Sequence, residues 1–162
     1  MNHFINLSEN KVHQDKIKFI LSEAQKNVED HTLLFAGSLK PQDAWLLFQS
    51  QQAIIIDVRT HEERKFVGYV EHSEHIPWLT GISLERNPDF LEKLQSFVNA
   101  YDIILLMCRS GKRSAAAASV AYNAGFTNVY NIDQGFEGDL DPNSHRGTYN
   151  GWRFNNLPWV QE

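Results

Sequence analysis

Apolar positions along this 162-residue chain fall into two patterns, short continuous runs and stripes with helical spacing. Ala53-Ile54-Ile55-Ile56 and Ile103-Ile104-Leu105-Leu106-Met107 are unbroken runs that stop at polar residues, as buried strands of a parallel sheet do. Leu33-Leu34-Phe35-Ala36-Gly37 reads as a short edge strand. Pro41 in front of Gln42–Phe48 marks a helix with proline in its first turn. Glu62–Phe66 reads as a short helix. Asn87 is placed to cap a helix through Val98, with Pro88 at its first position and Phe90, Leu91, Leu94, Phe97 and Val98 as its apolar face. The stretch from Ala115 to Ala124 reads as another helix, with Gly125 where a left-handed residue would end it. Strands alternating with helices predict right-handed crossovers and a parallel α/β sheet.

Residues 1–31 carry Val12, Ile17, Ile20, Leu21, Ala24 and Val28 at helical spacing, with charged residues between them. This predicts an N-terminal helical extension packed on the domain, a partner or dimer helix being the alternative. Residues 139–162 begin with turn formers and end in Trp152, Phe154, Leu157, Pro158 and Trp159. They predict an aromatic-rich tail packed on the domain, with shaping of substrate access as the alternative.

Candidate chemistry concentrates where the second apolar run ends, in Cys108-Arg109-Ser110-Gly111-Lys112-Arg113. The cysteine sits at a strand tip, on the loop entering a helix, where open α/β sheets place their ligand sites. Unpaired N–H groups at a helix start and three cations within five residues both favour thiolate over thiol. The same loop suits an anionic ligand without a metal. The competing reading, a buried core cysteine, sits poorly with three cations directly beyond it.

Cys108–Arg113 resembles the active-site loop of rhodanese-type sulfurtransferases. Asp57-Val58-Arg59, after Ile54–Ile56, resembles the Asp-Val-Arg signature of that family. Gly125–Ile132 followed by Gly135-Phe136-Glu137-Gly138 resembles its last strand and glycine-containing turn. Three motifs in order, spanning residues 34–138, make the resemblance specific. Gly68–Trp78 departs from the family pattern: Ile76-Pro77 is kept, while the Gly-Ala pair normally before it is missing.

The resemblance implies a three-layer α/β domain over residues 32–138, with a central, mainly parallel sheet of about five strands and helices on both faces. It implies Cys108 as nucleophile, Arg109, Ser110, Gly111, Lys112 and Arg113 as the loop that receives substrate, and Asp57 and Arg59 as residues behind it. Arg109, Lys112 and Arg113 are expected to attract an anionic donor. No metal or organic cofactor is required. The expected partners are a small anionic sulfur donor and a thiol or cyanide acceptor, with a protein donor or acceptor as a further candidate.

Composition narrows this picture only modestly. Hydrophobic content of 42% and charged content of 22% describe an ordinary globular chain, long enough for one domain. A net charge of −5 argues against nucleic acid as partner. No stretch has the apolar length of a membrane span, and residues 1–10 lack the pattern of a secretory signal. A single cysteine excludes an internal disulfide and suits the reducing cytoplasm. His72 and His75 lack a supporting ligand set and are expected on a surface loop. A thiol phosphatase or arsenate reductase would bracket five residues between cysteine and arginine, and this chain has four. A non-catalytic binding module would normally have lost the cysteine or the loop, and this chain keeps both.

Overall fold

The computed structural model describes residues 2–27 and 32–162, with side chains from Lys11 onward. Five strands form one sheet in the spatial order β1-β7-β6-β2-β3, parallel at every pairing. They are β1 (Gly37–Leu39), β2 (Ile54–Asp57), β3 (Glu74–His75), β6 (Ile104–Met107) and β7 (Val129–Ile132). The intervening β4 (Leu79–Thr80) and β5 (Glu85–Arg86) pair with each other as a small antiparallel hairpin, which no sequence pattern announced. Helices α1 (Asn2–Lys26), α2 (Pro41–Gln49), α3 (His61–Val67), α4 (Phe90–Phe97) and α5 (Lys112–Asn123) complete the domain.

Alternation along β6 divides the core in two, because successive strand side chains point to opposite faces. Leu105 and Met107 join Ile55, Tyr130 and Ile132 against α1 and α2, where Ile17, Ile20, Ala24, Ala44 and Leu47 are buried. Ile104, Leu106 and Cys108 join Ile56, Val58 and Val129 against α4 and α5, where Phe90, Leu94, Ala117, Ala118 and Ala121 are buried. Cys108 therefore continues the α5-facing parity of its strand. The expected helices on both faces are present.

Details moved where long-range pairing outweighs local pattern. The edge strand begins at Gly37 and not at Leu33, since its register is set by β7, with Gly37 opposite Tyr130. Gly37 also lies against α1: an added Cβ would sit 2.4 Å from the Ala24 carbonyl oxygen. Helix α4 starts at Phe90, and Asn87 just ahead of it serves both sides: its Oδ1 accepts the Asp89 N–H at 3.1 Å, as a cap does, while its Nδ2 donates to the Pro77 carbonyl at 2.7 Å. In the N-terminal stripe, Ile17, Ile20 and Ala24 are buried, whereas Val12 is 69% exposed. Val28 lies outside the described residues. The tail crosses the domain: Tyr69 pairs with Val160 in an isolated antiparallel bridge, and Trp152 is buried.

Candidate active site

Cys108 ends the buried run of β6 and its side chain is 1% exposed. The chain then turns through Arg109-Ser110-Gly111 into α5, with Gly111 at the N-cap in the left-handed region, φ +94°. Glycine holds that conformation without a Cβ penalty. The turn aims the Gly111 N–H at the sulfur, 3.1 Å from Sγ. Ser114, one turn into α5, brings its hydroxyl to 3.2 Å from Sγ. That hydroxyl also lies 3.1 Å from the Gly111 carbonyl and 2.6 Å from Oδ1 of Asn131 on β7. The loop is anchored from below by the turn after β7, whose Phe136 N–H donates to the Cys108 carbonyl at 2.8 Å. A Cβ at Gly135 would fall 2.5 Å from that same carbonyl oxygen, so the turn can approach this closely only as glycine.

Asp57 and Arg59 stand at the end of the neighbouring strand, both fully buried, and engage each other. The carboxylate receives the Arg59 backbone N–H and Nε at 3.0 Å, and Nη2 at 2.7 Å. Arg64 adds a further contact to Asp57 at 3.3 Å and reaches Ser73. Arg59 also donates to the Gly68 carbonyl at 2.7 Å, and its guanidinium lies 4.2 Å from the Phe136 ring centroid. Its Nη1 has no hydrogen-bond partner among the described residues, so the stacked ring face is a principal neighbour of that buried cation. Both residues thus tie β2 to the Gly68 segment and to the turn under the cysteine loop.

Arg113 makes a two-pronged pair with Glu63 of α3, Nη1 to Oε2 at 2.7 Å and Nη2 to Oε1 at 2.6 Å. Glu63 also accepts the Thr60 N–H while Thr60 accepts the Glu63 N–H, a reciprocal box that starts α3. Burial pushes the Glu63 carboxyl up, but Arg113, the Thr60 N–H and the charge of Arg59 outweigh it and hold the carboxyl below its ordinary value. Burial likewise disfavours the Arg113 cation, and Glu63 above all, with Cys108 and Asp57, more than restores it. Arg113, expected to attract a donor anion directly, instead commits its guanidinium to Glu63, so its charge is largely balanced. Arg109 and Lys112 are exposed and form no salt bridge among the described residues.

Ser110, Gly111 and Lys112 line a cavity of about 470 Å³ together with Ser38, Asn131 and Asp139. His75 is half-buried on β3, not on a surface loop, and its Nε2 lies 2.8 Å from the Arg59 carbonyl. Burial lowers its pKa from the ordinary value, against the opposing pull of that carbonyl and Asp57. His72 is exposed. No group of three or more metal-ligating side chains occurs among the described residues. No described helix is long and apolar enough to cross a membrane.

Three participants escape a reading of the sequence: Glu63, Ser114 and Asn131. Glu63 had a local signal, since Thr60-His61-Glu62-Glu63 has the spacing of a capping box. Ser114 sits where the loop becomes helix, and nothing local distinguishes it. Asn131 reads as one more position of an apolar strand.

Comparison with known proteins agrees with this geometry. The family profile described as "Rhodanese-like domain" matches residues 40–140. A protein of Rickettsia conorii is 40% identical over 116 residues, covering 70% of this chain and 88% of its own. Thiosulfate sulfurtransferase 16, chloroplastic, of Arabidopsis thaliana is 35% identical over 105 residues, covering 64% of this chain and 76% of its own. A crystal structure of an M. tuberculosis protein superposes with a TM-score of 0.72 at 38% identity, covering 80% of this chain and all of the other. With the profile spanning well over half of its length and the parallel sheet in place, the chain belongs to the rhodanese-like domain family.

Proposed function

We propose that the protein is a sulfurtransferase working through a Cys108 persulfide. The Cys108 thiolate attacks the outer sulfur of a sulfane donor such as thiosulfate. A new S–S bond forms, the donor's S–S bond breaks, and sulfite leaves with the electron pair. A thiol or cyanide acceptor then attacks the outer sulfur, and the thiolate is released. This is covalent catalysis in two half-reactions, for which ping-pong kinetics are expected.

The observation that carries this reading is the placement of Sγ, held by the Gly111 N–H and the Ser114 hydroxyl at the start of α5. Donors aimed at sulfur from a helix start favour an anionic sulfur, whether thiolate or persulfide. Exposed Arg109 and Lys112 would draw an anionic donor to the loop. The Arabidopsis relative described as a thiosulfate sulfurtransferase supports the same chemistry. The single free cysteine favours a reducing compartment, and we place the protein in the cytoplasm.

The test is intact mass after incubation with thiosulfate, followed by cyanide or a small thiol. Wild type is expected to gain one sulfur and lose it to the acceptor, while Cys108→Ser gains none and unfolds at the same temperature. No gain on wild type would overturn thiosulfate as donor and leave a protein-fed carrier or a binding module. Sulfur gained by Cys108→Ser would remove Cys108 from the reaction.

A further inference from the structure

The Ser114 hydroxyl has one proton and three acceptors around it. Oδ1 of Asn131 is nearest at 2.6 Å, the Gly111 carbonyl lies at 3.1 Å, and Sγ of Cys108 at 3.2 Å. All of these groups are buried: Ser114 is fully enclosed, and Asn131 is 5% exposed. With these acceptors closed around it, one hydroxyl proton cannot serve a carbonyl oxygen and an anionic sulfur together. Which of them receives the proton depends on how the Asn131 amide is turned.

With its oxygen towards Ser114, Asn131 takes the proton and the sulfur keeps only the Gly111 N–H. Turned by half a rotation about its last side-chain bond, Asn131 presents an N–H to the Ser114 oxygen. Ser114 then accepts from Asn131 and donates to sulfur. The displaced amide oxygen is not stranded, because Asn131 lines the cavity beside Ser38 and Lys112, which has room for water.

We propose that Asn131 is a positioning residue for the reaction, which through Ser114 hands a hydrogen bond to the Cys108 sulfur whenever that sulfur is anionic. The inference deepens the sulfurtransferase reading by naming what readies the nucleophile. Its test needs no sulfur donor, so the two can fail separately. The other charged groups around the site come from several elements, Asp133 and Asp139 on the lining of the cavity among them. Arg109, Lys112 and Arg113 lie on its own loop and helix, Glu63 on α3, and Asp57 and Arg59 at the end of β2. None of them changes in the variants below.

The experiment is the rate of Cys108 alkylation by iodoacetamide as a function of pH. Ser114→Ala is expected to move the midpoint of the profile up by about one pH unit, the scale of a lost hydrogen bond to an anion. Asn131→Asp, which can only accept from Ser114, moves it up at least as far. The deciding comparison is Asn131→Asp placed in the Ser114→Ala background. There it shifts the midpoint much less than in wild type if Asn131 acts through Ser114. Equal shifts in both backgrounds would reduce Asn131 to a distant charge effect and overturn the proposal, as would an unchanged midpoint in Ser114→Ala. Should Asn131→Asp fail to fold, Asn131→Leu takes its place. It offers Ser114 neither donor nor acceptor, so it is read through the same comparison: its shift must shrink in the Ser114→Ala background, and an equal shift, or none, in both backgrounds overturns the proposal.

Discussion

Two adjacent strands end at the same edge of the sheet, and their following loops are built in opposite ways. After β2 the charges are closed upon one another. Asp57 and Arg59 are fully buried and mutually bonded, Arg64 leans in, and Glu63 is bound by Thr60 and Arg113. After β6 the loop is open. Arg109 and Lys112 stand in solvent, and a sulfur is held by one N–H and one shared hydroxyl. Free cations leave the one loop open to an anionic donor, as the proposed function requires, while the neighbouring corner neutralises its own charges and holds its shape. The Arg113–Glu63 pair joins the two, fixing the first turn of α5 to the first turn of α3.

The sharpest way to break this contrast is to open the closed corner. Asp57→Ala leaves Arg59 buried without its carboxylate, and removing one partner of a buried pair costs about 3–5 kcal/mol. The expected result is a large fall in the urea midpoint; a change near zero would show the corner to be dispensable.

A smaller effect is expected where the corners meet. Glu63→Gln replaces a charged two-pronged contact to Arg113 and should cost roughly 2 kcal/mol at neutral pH. The folded carboxyl lies below its ordinary value, so its stabilisation is present above the unfolded value near 4.5 and is lost as pH falls through the folded one. The difference in stability between wild type and Glu63→Gln should therefore shrink on acidification. A difference independent of pH down to acid unfolding would mean that the pair contributes only shape.

The smallest effect belongs to the open loop. Lys112→Ala should leave the denaturation midpoint unchanged and raise the KM for thiosulfate by a few-fold at low salt, with the gap closing as ionic strength rises. A stability loss like that of the closed corner would end the contrast between the two loops.

Much of the site was legible because it depends on neighbours in sequence. The run Ile103–Met107 marked β6, and the cysteine after it marked the loop. Pro41 marked the start of α2, and Gly125, left-handed at φ +105°, marked the end of α5. The role of Arg113 was not legible. With 20 acidic side chains in the chain, no local rule selects Glu63, fifty positions away, as its partner. The edge strand was misplaced for a related reason. Leu33–Phe35 are as apolar as a strand, yet β7 offers its free edge to Gly37–Leu39.

The chain's own pattern determined that a parallel α/β sheet would form and that Cys108 would stand at its carboxyl edge. Both follow from short-range rules: apolar runs bury as strands, and period-two alternation sends Cys108 to the same side as Ile104 and Leu106. Tertiary structure alone decided which cations stay free, which carboxylate closes on Arg113, and that Asn131 of β7 meets Ser114 of α5 beside the sulfur. Those are meetings of residues far apart in the chain, and only the packing of α5 between its own strand and the next brings them within hydrogen-bonding distance.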